Sequence, residues 1–166
     1  MTNTSGSISK KKAIILVTGM SGTGKSTVLG ELAHRGHRII DTDYDGWSEN
    51  VDGSGWLWHE NRIDELLTEH SEGALFISGC VSNQGKFYPR FDAVVLLSAP
   101  LEVILERITS RKTNEYGKTV EQREEIIQYV ASVEPLLRAG ATVEIDTRKP
   151  LDEVVTELEL IANSFS

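Results

Sequence analysis

The sequence holds a single cysteine, Cys80, so no disulfide can form within the chain and the fold must rest on packing alone. Cysteine this scarce is the pattern of a reducing compartment, and a cytoplasmic location is expected. Long apolar runs are missing too. The early stretch from Ala13 to Val17 is too short for a membrane span or a secretory signal, so a soluble, unexported protein with no membrane partner is expected. Positive charge is scarce. Lys and Arg number 17 against 25 Asp and Glu, a formal net charge of -8, which argues against the broad basic surface of a nucleic-acid binder. A phosphorylated small ligand is not excluded by this balance, because a few backbone amides and one or two cations are enough to hold it.

What is present suits one globular domain. The chain has 166 residues, 39% of them hydrophobic, enough for one sizeable core and too few for two ordinary domains. Residues 1–12 are polar, end in Lys10-Lys11-Lys12 and read as a flexible tail, leaving 13–166 as the domain. Strand and helix patterns then alternate. Runs rich in branched apolar residues at 13–18, 37–40, 74–78, 93–97 and 142–145 read as strands covered on both faces. Between them, 25–35, 58–69 and the segment after Pro100 show helical spacing, and 44–55 reads as a Gly-, Asp- and Ser-rich loop. Thr119 and Gln122 have the spacing of a capping box, and the helix they open is expected to kink or restart near Pro135. Pro150 opens the last helix. This alternation predicts an α/β fold with five parallel strands and helices on both faces.

The strongest motif follows the first strand. Gly19-Met20-Ser21-Gly22-Thr23-Gly24-Lys25-Ser26 matches G-x-x-x-x-G-K-[ST] between a buried strand and an amphipathic helix. Such a loop turns its N–H groups inward to make an anion nest, and the helix that follows adds its positive dipole end. Lys25 is expected on the β- and γ-phosphates of ATP, the Ser26 hydroxyl on Mg2+, and Thr27 on the α-phosphate.

Asp41 and Asp43 close the second strand two residues apart, which places them on one face beside the ligand crevice. One can hold a magnesium-bound water and the other can orient an acceptor hydroxyl and take its proton. The third and fourth strands end in Ser78-Gly79-Cys80 and Ser98-Ala99-Pro100, without the carboxylate that a nucleotide motor uses to polarise water. Arg107 and Arg111 lie four apart on a helix before the polar stretch 112–118, so a short lid over about 111–119 is expected to bring arginine to the transferring phosphate and exclude water. Arg107 can also lie over adenine. The tryptophans Trp47, Trp56 and Trp58 cluster with His59, Glu60 and Arg62, either as a ring-binding acceptor site or as plain packing. Ser78, Cys80, Asn83 and Gln84 are expected to line the same crevice.

Together these features resemble the shikimate, gluconate and adenylate kinase group of P-loop kinases. The resemblance covers nearly the whole chain in element order and implies a P-loop NTPase fold with strand order 2-3-1-4-5. It implies that Asp41 of Asp41-Thr42-Asp43 helps hold magnesium and that Asp43 touches the acceptor. It also implies that Arg107 packs on adenine, that Arg111 meets phosphates, and that the loop carrying Arg148 cradles adenine. The Gly-Gly-Gly run of shikimate kinases and the nucleoside-monophosphate pattern of adenylate kinases are both absent. The expectation is an ATP- and Mg2+-dependent kinase acting on a small-molecule hydroxyl, as a monomer or homodimer. A nucleoside or nucleotide kinase of the same fold and a nucleotide-dependent regulatory ATPase stand as the alternatives.

Overall fold

A computed structural model describes residues 12–165 other than 54, 113 and 114. The expected tail, apart from Lys12, lies outside the described residues, as does part of the expected lid. Five parallel strands form the sheet: β1 (Ala13–Thr18), β2 (Arg38–Asp41), β5 (Ala74–Ser78), β6 (Ala93–Ser98) and β7 (Val143–Asp146), in the order β2-β5-β1-β6-β7. This is the predicted five-strand order once a small outlying hairpin, β3 (Ser48–Val51) with β4 (Gly55–Trp58), is set aside. The helices are α1 (Lys25–His34), α2 (Glu60–Glu69), α3 (Leu101–Ser110), α4 (Val120–Ser132), α5 (Glu134–Gly140) and α6 (Leu151–Asn163). Among the described residues no helix is long and apolar enough to cross a membrane.

The central strand shows why the sequence folds this way. All six residues of β1 are buried, because both of its faces are covered. Ala13, Ile15 and Val17 face α1 and α6, packing with Leu29, Leu32, Val155 and Leu158. Ile14 and Leu16 face the other layer, with Ile63, Leu66 and Leu67 of α2 and Trp58. Each such fully buried aliphatic side chain contributes about 1.5–3 kcal/mol relative to exposure. Parallel pairing of β1 with both β5 and β6 sends the carboxyl ends of the strands to one edge, where the phosphate loop, Asp41 and Gly79 converge.

Two expectations are corrected. Residues 44–55 are not simply a loop, since they contain β3 and the start of β4; side chains exposed on both faces, among them Glu49, Asn50 and Trp56, hide the alternation that marks a strand. Trp58 ends β4 instead of opening α2. Its backbone N–H donates to Asn83 Oδ1 at 2.9 Å and its carbonyl accepts from Asn83 Nδ2 at 3.0 Å, so a side chain claims both backbone groups and the helix begins two residues later. After β5, Gln84–Arg90 forms a 3-10 helix, and Asn83 and Gln84 are buried. The break near Pro135 is present, with α5 restarting at Glu134. Half of the capping box forms: Thr119 Oγ1 accepts from Gln122 N at 3.1 Å, while Gln122 Oε1 turns to Gly117 N at 2.8 Å.

Gly79 leaves β5 where there is no room for a side chain. A Cβ there would lie 2.6 Å from Thr42 Oγ1 and 2.9 Å from the Trp58 indole. Gly79→Ala is therefore expected to destabilise the protein by about 1–3 kcal/mol, the usual cost of overpacking. Urea unfolding should show a lower midpoint with an unchanged slope, and a midpoint equal to wild type would mean that this junction is loosely packed.

Candidate active site

The loop from Gly19 to Lys25 is held by its own chemistry. Thr23 Oγ1 donates to the Met20 carbonyl at 2.7 Å, closing the turn from inside. Gly24 precedes α1 with φ of 95°, a left-handed conformation that strains any residue with a side chain. Lys25 Nζ donates to the carbonyls of Gly19 and Met20 at 2.6 and 3.0 Å, so the ammonium lies folded on the loop that it serves. Burial pushes the pKa of Lys25 down, while Cys80, Asp43 and Asp41 oppose that shift.

The carboxylates after β2 stand opposite this loop. Ser26 Oγ donates to Asp41 Oδ2 at 2.9 Å, which sets a hydroxyl and a carboxylate side by side. Two hard oxygen donors of this kind suit magnesium, which keeps most of its shell for water and phosphate. Asp41 Oδ1 accepts from Asp43 N at 3.1 Å, so an Asx-type turn, and not the strand pleat inferred from the spacing, brings the two acids together. Between them Thr42 is fully buried. Its hydroxyl accepts from Trp58 Nε1 at 2.8 Å and donates to the Ser78 carbonyl at 2.7 Å. The carboxyl pKa of Asp43 is raised, first by partial burial and then by the charge of Asp41, with Lys25 acting the other way.

Asp43 and Lys25 share a pocket of about 670 Å³ that runs from Met20 and Ser21 across Cys80 and Gln84 to α4 and α5. Asn83 and Ser78 are not in its wall. Asn83 is bound to Trp58 and to Glu60 Oε2, and Ser78 lies beneath in the sheet. Burial raises the Cys80 thiol pKa, as fits a small packed residue and not a nucleophile. The tryptophans do not line this pocket either: Trp58 is core, Trp56 is exposed, and Trp47 lies under the Arg62 guanidinium, 4.0 Å from its ring centre. The far wall, from Tyr129, Val133, Leu136 and Leu137, was not anticipated from the sequence. Its only signal there was apolar residues off the buried helical face, of which Tyr129 and Leu136 are exposed.

The two arginines lie on different sides of the phosphate loop. Arg107, on α3, donates to Thr147 Oγ1 and O at 2.8 and 2.7 Å and reaches the Gly22 carbonyl at 3.4 Å. It lines a second hollow of about 230 Å³ with Thr23, Thr27, Thr147 and Lys149. Arg111 is beyond the end of α3 in extended backbone, so the shared helix face inferred from the spacing is not formed. Its Nη1 approaches Ser21 Oγ at 3.5 Å, and its Nη2 donates to the Tyr116 carbonyl at 2.7 Å. Arg148 pairs with Asp146 at 2.6 Å and stays out of the hollow, whose walls take Thr147 and Lys149 from the same loop. That pairing holds the Asp146 carboxyl at about 2.

Comparison with known proteins agrees with the fold. A protein of Archaeoglobus fulgidus with the provisional name adenylate kinase is 29% identical over 150 residues, covering 89% of this chain and 81% of that protein. The fold also overlays on solved structures. A shikimate kinase from Acinetobacter baumannii, in complex with shikimate, superposes with a TM-score of 0.68 at 18% identity, over 95% of this chain and 96% of that one. A shikimate kinase from Bacteroides thetaiotaomicron gives 0.63 at 19% identity, over 90% and 97%. The family model for an AAA domain matches residues 15–128, a span that runs from β1 through the phosphate loop, the acidic pair and both arginines. Over most of its length, then, this chain belongs to the AAA domain family, and it is built on the fold of the P-loop kinases.

Proposed function

We propose that the protein transfers the γ-phosphate of ATP to a hydroxyl group of a small molecule. The observation that carries this reading is that Lys25 and Asp43, from opposite walls, face one pocket large enough for an acceptor. In the proposed reaction, the loop amides and Lys25 hold the phosphates, with Lys25 exchanging its contacts to Gly19 and Met20 for phosphate oxygens. Thr27, at the rim of the second hollow, takes the α-phosphate, and Arg107 flanks adenine there. Ser26 and Asp41 would hold magnesium, which when bound neutralises charge on the phosphate oxygens. Asp43 orients the acceptor hydroxyl and takes its proton as the oxygen bonds to the γ-phosphorus and the bond to the departing ADP breaks. Arg111, from a lid over about 111–119, closes on the equatorial oxygens. The whole reaction is carried by the single domain 13–166. A second reading, with AMP as acceptor, is favoured by the name of the Archaeoglobus relative.

Two outcomes are expected. Lys25→Met removes the one fixed cation on the phosphates, so titration calorimetry with magnesium and a non-hydrolysable ATP analogue should show tight binding abolished. Affinity equal to wild type would remove the phosphate-loop assignment. Asp43→Asn keeps the shape and loses the base, so nucleotide affinity should hold while transfer falls by about a hundredfold or more, the contribution of a positioned base. Because the pKa of Asp43 is raised, the wild-type kcat/KM should decline with acidification at a pH above the ordinary aspartate value of about 3.9. The base works deprotonated, so activity is present above that limb and lost below it, and the limb should vanish from the residual rate of the variant. A variant transferring phosphate at the wild-type rate would make Asp43 a turn residue only.

A further inference from the structure

The pocket that holds Asp43 is unusual in its charge. Among the described residues Lys25 is its only cation, and the proposed reaction commits Lys25 to phosphate. Among the described residues its lining has no arginine, histidine or second lysine to meet a carboxylate or a phosphate, and Arg111, which the proposed reaction commits to phosphate, is not part of that lining. The single anion of the wall, Asp43, would repel any negative group seated beside the reacting hydroxyl.

The Gln84 amide in the wall is already engaged. Gln84 Nε2 donates to Thr18 Oγ1 and to the Tyr88 hydroxyl, both at 3.0 Å, and Gln84 Oε1 accepts from Val81 N at 3.0 Å. Cys80 presents a neutral thiol, since burial raises its pKa. The Tyr88 ring is fixed in place by Gly140 at the end of α5, where a Cβ would lie 2.6 Å from the ring. Opposite stand Val133, Leu136 and Leu137, with Tyr129 at the mouth. A molecule filling this space gains most by covering apolar and aromatic surface, with one or two neutral hydroxyls turned to Asp43.

We infer that the acceptor is an uncharged, largely apolar alcohol, and that the pocket selects against hydroxy acids and nucleoside monophosphates because it offers their anionic group no cation besides the phosphate-bound Lys25. This rests on the kinase reading and narrows its acceptor. The distinguishing test uses two probes of one skeleton, 3-phenyl-1,2-propanediol and 3-phenyllactate, with AMP as a third arm. Each is titrated into the whole protein with magnesium and a non-hydrolysable ATP analogue, and ADP release is then followed with ATP. The diol should bind at least tenfold more tightly than phenyllactate or AMP and should be the better acceptor. Leu136→Arg and Tyr129→Arg, both at exposed positions that tolerate charge, should each invert the order by bringing phenyllactate a cation. Phenyllactate or AMP binding as tightly as the diol to the wild-type protein overturns the inference, and so does a diol that fails to bind at millimolar concentration. If the nucleotide analogue itself does not bind, the kinase reading beneath it falls instead.

Discussion

One buried hydroxyl governs the geometry of the site. Every polar atom of Thr42 is engaged: its N–H and Oγ1 both donate to the Ser78 carbonyl, Oγ1 accepts from Trp58 Nε1, and its carbonyl accepts from Ser48 Oγ. Each such bond is worth about 0.5–1.5 kcal/mol net, and leaving one unmade in the interior costs more. The backbone on either side of Thr42 is therefore fixed, and with it the directions of Asp41 and Asp43. Asp41 is turned to the Ser26 hydroxyl and Asp43 to the pocket of about 670 Å³. The small hairpin serves the same end, because Trp58 and Ser48, which bind Thr42, occupy its two strands.

The two carboxylates are chemically alike and differ through their surroundings. Asp41 has hydroxyl and amide donors on its oxygens. Asp43 has burial and the neighbouring charge of Asp41, which together favour its protonated form. A group that holds a metal needs to stay ionised, whereas one that exchanges a proton works best with its pKa moved toward the working pH. This difference is consistent with the proposed division of roles, Asp41 toward magnesium and Asp43 toward the acceptor, which the resemblance implied.

Much of this was legible in the sequence, and the reasons differ by region. Continuous apolar runs such as Ile14 to Val17 identify strands buried on both faces, and a phosphate loop bounded by strand and helix fixes its own position. The register of Asp41 and Asp43 was readable as proximity but not as mechanism, since a turn stabilised by a side chain mimics the spacing of a strand. Arg107 and Arg111 were misplaced relative to each other because periodicity does not reveal where a helix stops without a glycine or a proline. The far wall of the pocket was hidden for a different reason. Tyr129, Val133 and Leu136 come from helices that meet the phosphate loop only through tertiary folding, while the tryptophan cluster drew attention to a segment whose main task is packing. Aromatic density shows where surface is buried, and it does not say what is buried there.

The glycines of the phosphate loop have three separate masters. At Gly19 a side chain would collide with the Leu97 carbonyl at 2.5 Å, so this position answers to the neighbouring strand β6. At Gly22 it would press on Ile108 and Ile104 at 3.0 and 3.1 Å, so this one answers to the seating of α3. Gly24 has open space around it and answers only to the handedness of its backbone. Three residues that look interchangeable as a motif are thus bound to three different parts of the molecule, and the loop serves as a junction where sheet, α3 and backbone conformation are held in mutual register. A drift in any one of the three would surface as weakened phosphate binding, although its origin lay elsewhere in the fold.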